Sequence, residues 1–142
     1  MFEPCSIEKL LIKSKVEATP HRAIVLKILS DFSRAVTPKD ILEKIRKKES
    51  MDKVTLYRIL DLFVKKGVIR RLINGQGTMC YEIICAEHNP LHAHFVCREC
   101  GDIACLHDID LRNIKNRIKS SYREEDIDLK IEGVCVNCGK NN

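Results

Sequence analysis

Four cysteines in two CxxC pairs, Cys97/Cys100 in "CREC" and Cys135/Cys138 in "CVNC", constrain this chain more than any other feature. A CxxC turn places both sulfurs on one side, so two such turns can supply the four corners of a tetrahedral zinc site. Both turns run into glycine ("CRECG", "CVNCG"), which helps each of them close. Whatever fold forms must therefore bring residues 135–138 back to residues 97–100, across 34 intervening residues. Four thiolates leave no open coordination position, so the expected role of this zinc is structural. A pair of redox dithiols is the alternative, but such motifs open a helix in a βαβ context, which is absent here.

The metal reading depends on the compartment. No apolar run approaches the roughly 20 residues of a membrane helix. The first residues, "MFEPCSIEKLLIKSKVE", carry charge where a signal peptide needs its apolar stretch. A cytoplasmic location is expected, and in a reducing compartment CxxC pairs serve metals more readily than disulfides. Of the eight cysteines, Cys5, Cys80, Cys85 and Cys105 lie outside the two pairs. Cys5 and Cys80 are read as ordinary thiols.

Charge divides the chain. Residues 1–84 hold 17 Lys/Arg against 10 Asp/Glu, a balance of +7, whereas residues 85–142 hold 8 against 10, a balance of −2. The histidine and cysteine ligand candidates fall in the acidic half. A basic segment joined to a ligand-rich one suggests a polyanion binder with an attached sensor. Two domains are expected, 1–84 and 85–142, with the break near "CAEHNPL".

Helix signals fill the first half. In "TPHRAIVLKILSDF", Thr19 caps and Pro20 takes the first helical position. Ile24, Val25, Ile28, Leu29 and Phe32 then form an apolar stripe. "TPKDILEKIRKK" repeats this start with Thr37 and Pro38, and Asp40 stands where a capping-box acid would. A third helix begins near Asp52, turns Leu56, Ile59, Leu60 and Phe63 inward, and ends at Gly67. Two strand-like segments follow, "VIRRLI" and "TMCYEII", joined by "NGQG". Three helices and a hairpin predict a winged helix-turn-helix, whose last helix before the wing enters the DNA major groove. Its exposed face would present Lys53, Thr55, Tyr57 and Arg58 to phosphates and base edges. The second half reads as short strands around the helix "DIDLRNIKNRIKSSY", so the fold class is α+β.

His92 and His94 stand just before the first CxxC pair and are not used by the four-cysteine site. Alternate residues of a strand share a face, so both imidazoles can reach one metal while Ala93 points away. Candidates to complete the set are Cys85, Glu82, Glu87 and His88 before them and Cys105 after them, on the expected partner strand. Nitrogen with sulfur favours zinc, whereas nitrogen with oxygen favours iron or manganese. His21 and His107 have no partner spacing and are read as surface residues.

Taken in order, "TPHR", "TLYRILDLFVKKGVI", "YEI", the HxH before CxxCG and the final "GVCVNCG" resemble the ferric uptake regulator (Fur) family of metal-dependent repressors. The resemblance runs from about residue 10 to 139. It implies a homodimer, an N-terminal winged helix, a small C-terminal α/β dimerisation domain and metal-promoted binding to a palindromic double-stranded DNA operator. It also implies that Tyr57, Arg58 and Arg22 contact DNA, and that Cys97, Cys100, Cys135 and Cys138 hold structural zinc. His92 and His94 match ligands of the regulatory site.

Departures from the family pattern separate its subfamilies. Ala35 or Val36 stands where iron and peroxide sensors carry a histidine, and Ala93 stands where they carry an acid. Cys105 replaces a carboxylate and Ile127 a histidine. Oxygen and nitrogen ligands are missing and sulfur has appeared, a pattern similar to the zinc uptake regulators (Zur), which have a cysteine near the place of Cys85. The expectation is a zinc-responsive repressor with regulatory ligands His92, His94, Cys105 and Cys85, and with Glu82 and His88 as further candidates. Iron or manganese are the alternative metals, and a peroxide, redox or iron sensor is the alternative function. A zinc hydrolase is the distant one, since no HExxH-type base accompanies the histidines. No membrane and no small-molecule substrate beyond metal ions is expected.

Overall fold

The computed structural model describes residues 6–32, 34–84, 92–109, 111–118 and 128–140. The chain divides into two compact units, one of residues 1–73 with 78–90 and one of residues 74–77 with 91–142.

The first unit begins with helix α1 (Ile7–Ser14), which the sequence reading did not foresee. Its signals are local: the Ser6 hydroxyl accepts from the Lys9 amide, and Lys15 closes the end in a left-handed conformation. The remaining helices are α2 (Pro20–Asp31), α3 (Pro38–Arg46) and α4 (Lys53–Lys65). Each starts where its cap predicts, with Thr19, Thr37 and Asp52 accepting from the amides of Arg22, Asp40 and Thr55. Gly67, at φ +74°, ends α4, and Val68 N–H returns to the Phe63 carbonyl in a Schellman closure. Val25, Ile28 and Leu29 are buried as the stripe requires, and so is Leu26, which the stripe omitted. Because α2 packs against α1, α3, α4 and the hairpin, it has core on more than one side.

The hairpin pairs β1 (Ile69–Ile73) antiparallel with β2 (Met79–Ile83), from Ile69 opposite Ile83 to Ile73 opposite Met79. Tyr81 also exchanges two backbone hydrogen bonds with Val36, so the segment before α3 covers the outer edge of β2. Arg71 reaches Asp61 of α4 at 2.7 Å, tying wing to helix.

In the second unit, β3 (Ala93–Cys97) is the middle strand of three. It pairs antiparallel with β4 (Ile103–Leu106) and parallel with β5 (Lys130–Gly133). Helix α5 (Leu111–Ile118) lies between β4 and β5 in sequence, which is the crossover a parallel pair requires. The short α6 (Val136–Gly139) follows, with Cys135 at its N-cap.

The hairpin loop, Asn74–Gly77, belongs to this second unit. Instead of a two-residue Asn-Gly turn it makes a wider loop. The Asn74 carboxamide oxygen accepts from the Gln76 amide at 2.9 Å, and Gly77 takes the positive φ. Gly75 N–H donates to the Gly101 carbonyl and the Gln76 side-chain amide to the Cys100 carbonyl. A Cβ on residue 75 would stand 2.2 Å from the Cys97 carbonyl oxygen, so only glycine lets the loop seat on the CxxC turn. Gly75→Ala is expected to cost about 1–3 kcal/mol in denaturant unfolding, as overpacking against backbone does. Gly139→Ala, where an added Cβ meets nothing within 4 Å, should stay within about 0.5 kcal/mol of wild type.

Candidate metal centres and nucleic-acid interface

The end of β3 and the start of α6 bring the two CxxC turns together. One sulfur from each of Cys97, Cys100, Cys135 and Cys138 lies within 4.8 Å of all the others. A tetrahedral zinc with bonds of about 2.3 Å needs sulfurs about 3.8 Å apart. The Cys100 and Cys135 sulfurs stand at 4.0 Å, so the set fits that ion. Backbone amides prepare the site electrostatically. The N–H groups of Cys100 and Cys135 pull the Cys97 thiol down to about 6, the latter donating to Cys97 Sγ at 3.3 Å. Cys138 is pushed up to about 12 by the neighbouring Cys135 sulfur. Four crowded thiols cannot all ionise without a cation among them, which is the condition a bound dication satisfies.

A second donor group lies at the other end of β3. His94 faces Cys105 directly across the antiparallel pair. One ligand atom from each of His92, His94 and Cys105 lies within 4.8 Å of the others. Both histidines are buried, at 3% and 2% exposure, and Cys105 is half-buried. Two nitrogens and a sulfur at this separation fit a zinc-type ion. His107, read from the sequence as an isolated surface residue, is exposed but lies against His92, with ring centroids 4.2 Å apart and the rings tilted by 43°. The strand alternation that paired His92 with His94 applies equally to Cys105 and His107, and could have found it.

Of the remaining candidates, Glu82 is buried on β2 in the first unit. Cys85, Glu87 and His88 lie outside the described residues, as do Cys5 and Ile127. Cys80 is buried, and burial raises its thiol, so it is no reactive thiolate.

In the first unit, α4 is the helix before the wing. Lys53, Tyr57 and Arg58 are exposed on it and Thr55 is half-exposed, while Leu56, Ile59, Leu60 and Phe63 face the core. Tyr57 is thus a surface aromatic and not part of the core. Val54 is exposed on the same helix and was not singled out from sequence; an apolar group there can meet a thymine methyl. Arg22 is half-buried and donates to the Glu17 carbonyl at 2.9 Å, bracing the segment before α2. A cleft of about 590 Å³ lined by His21, Arg46, Glu49 and Ser50 opens beside the start of α4. No helix among the described residues is long and apolar enough to cross a membrane.

The sequence model of the ferric uptake regulator family matches residues 13–133. The ferric uptake regulation protein of Helicobacter pylori is 28% identical over 129 residues, covering 89% of this chain and 84% of that protein. The peroxide operon regulator of Bacillus subtilis is 26% identical over 133 residues, covering 92% and 89%. The solved structure of the Helicobacter pylori ferric uptake regulator superposes with a TM-score of 0.78 at 23% identity, over 98% of this chain and 97% of that one. The fold is that of these regulators, α+β with an N-terminal winged helix and a small C-terminal α/β domain.

The Asp52 carboxylate caps α4 by accepting from the Thr55 amide at 2.7 Å, and that bond holds its pKa below the usual value. A lowered folded pKa contributes stability that is present above the unfolded value and lost as pH falls through the folded one. Asp52→Ala should therefore destabilise the first unit fully at neutral pH. The difference from wild type should shrink below pH 3.8, read by denaturant titration across pH. A pH-independent difference would show that the carboxylate charge is not what caps this helix.

Proposed function

Since the chain belongs to the ferric uptake regulator family of metal-responsive transcriptional regulators, we propose that it is a zinc-responsive repressor binding a palindromic operator as a homodimer. One observation carries the choice of metal: Cys105 stands opposite His94 in the β3–β4 register. Sulfur with imidazole selects zinc, where carboxylate with imidazole would suit iron or manganese. His92, His94 and Cys105 hold the regulatory ion with Cys85 as the fourth ligand, Glu82 and His88 being the alternatives. Cys97, Cys100, Cys135 and Cys138 hold a permanent structural zinc. Relatives of the chain include a ferric uptake regulation protein and a peroxide operon regulator, so the zinc assignment rests on this chain's own donors.

Residues 1–84 form the DNA-binding domain. Tyr57 and Arg58 of α4 reach base edges, with Thr55 and Lys53 at the phosphates and Arg22 beside them. Residues 85–142 form the dimerisation domain. β5 is an edge strand of its sheet, and Ile131, Val134 and Val136 on and after it are exposed apolar residues suited to a second copy. A bound dication supplies a cross-link among donors that are far apart in sequence. A DNA-competent dimer places its two recognition helices about 34 Å apart, one turn of DNA. Metal favours that state only through a difference in affinity between it and the others. The ligands must be thiolate and neutral imidazole, so regulatory occupancy should fall with acid. The setting is the cytoplasm, where thiols stay reduced.

A peroxide sensor is the second reading, favoured by the half-buried Cys105 thiol. It predicts loss of DNA binding on mild peroxide treatment in excess zinc, where the zinc reading predicts that binding persists. The deciding measurement is operator affinity of wild type and His92→Ala/His94→Ala across added Zn²⁺, Fe²⁺ and Mn²⁺. Zinc should tighten wild-type binding at least about tenfold and leave the double variant unmoved. Activation by Fe²⁺ or Mn²⁺ but not Zn²⁺ would overturn the metal, and a metal-responsive double variant would overturn the site. Arg58→Ala should weaken operator binding by about 1–3 kcal/mol while preserving zinc content.

A further inference from the structure

Three imidazoles stand in a row along one face of the β3–β4 pair. His94 is opposite Cys105 in the register, and two residues along each strand returns to the same face. Carried one step past the last paired residues, Ala93 and Leu106, this register sets His92 beside His107. Their ring contact agrees: His94 to His92 is 4.5 Å between centroids, and His92 to His107 is 4.2 Å. Exposure rises along the row, from 2% at His94 and 3% at His92 to an exposed ring at His107. The group of ligand atoms within 4.8 Å of one another does not extend to His107. His107 is thus next to the buried donors without being one of them.

We propose that His107 is the exchange residue of this site, the side chain that takes a zinc ion from solvent and passes it to His92 and His94. This rests on the reading of His92, His94 and Cys105 as the regulatory metal site. Buried ligands bind firmly but cannot easily meet a hydrated ion, since each bound water must leave as a protein donor replaces it. His107 is exposed at the rim of the site, where a hydrated ion arrives first. Its neutral ring nitrogen replaces one water on the hydrated ion. A nitrogen of His92, one ring away, would then replace His107, and the remaining waters would leave as His94 and Cys105 bind, the Cys105 thiol giving its proton to solvent. No proton or electron moves between the imidazoles, and the same steps in reverse release the ion. A sensor needs that reversibility, because occupancy must follow the free zinc level within its response time.

The test follows zinc transfer to and from a chromophoric chelator by stopped flow, in full-length protein whose four-cysteine site stays filled. His107→Phe retains an aromatic ring to lie against His92 and removes both nitrogens. Uptake and release should each slow by about tenfold or more in this variant, a barrier increase of about 1.4 kcal/mol or more, while equilibrium affinity changes by less than about threefold. Wild-type transfer rates in His107→Phe would overturn the proposal. So would an affinity loss with unchanged uptake, which would make His107 an equilibrium ligand. His92→Ala/His94→Ala separates the two levels of argument. If that variant still binds the second zinc equivalent, the metal-site reading fails and this one with it. If it loses the second equivalent while His107→Phe exchanges like wild type, only the exchange role is lost.

Discussion

The second unit is organised by one strand with two partners. β3 is hydrogen-bonded to β4 on one side and to β5 on the other, antiparallel and parallel respectively. The antiparallel side sets His94 against Cys105, and the parallel side carries the chain onward to Cys135 at the Cys97 end. Both donor groups are consequences of this pairing. If β5 paired one residue out of register, the sulfurs of the second CxxC turn would be displaced from those of the first. A shift in β4 would turn Cys105 and His107 to the other face.

Small size makes the four-sulfur centre more than an ornament on that sheet. A unit of this length buries too little apolar surface to be secure alone, and β5 is exposed along most of its length. A metal held by the four sulfurs would make its binding part of the unit's folding free energy. The hairpin loop seated on the CxxC turn shares in this, because Gly75 and Gln76 bond to carbonyls of Gly101 and Cys100. The integrity of the sulfur site and the position of the loop that joins β1 to β2 are therefore coupled through backbone contacts. In the first unit the constraint is of another kind, an apolar core closed by caps and by the Arg71–Asp61 bridge.

Much of this was legible in advance, and for a consistent reason. The starts of α2, α3 and α4 follow from Thr19-Pro20, Thr37-Pro38 and Asp52, whose capping bonds span three residues. Where a local signal went unused, as with Ser6 before α1, the helix was missed although its cap was there to read. Leu26 was missed because a single apolar stripe presumes one buried face, and α2 has neighbours on several sides. The Asn74-Gly75 pair pointed correctly to a hairpin. The loop it forms is nonetheless shaped by the CxxC turn beneath it, where Gly75 is needed for close approach and Gly77 for positive φ. His92, His94 and Cys105 are grouped from the sequence by strand alternation and an expected partner strand, whereas His107 has no partner at ligand spacing along the chain and meets His92 only through the folded structure.

The sequence by itself determined which side chains could bind metal, where α2, α3 and α4 begin, and which half carries the positive charge. Those depend on residue chemistry and on interactions across three or four positions. Only the tertiary structure decided that β3 runs parallel to β5, that Cys105 faces His94, that His107 lies against His92 and that the hairpin loop rests on the first CxxC turn. These are matters of register between segments distant in the chain. They are settled by backbone hydrogen bonds and burial that no single segment contains.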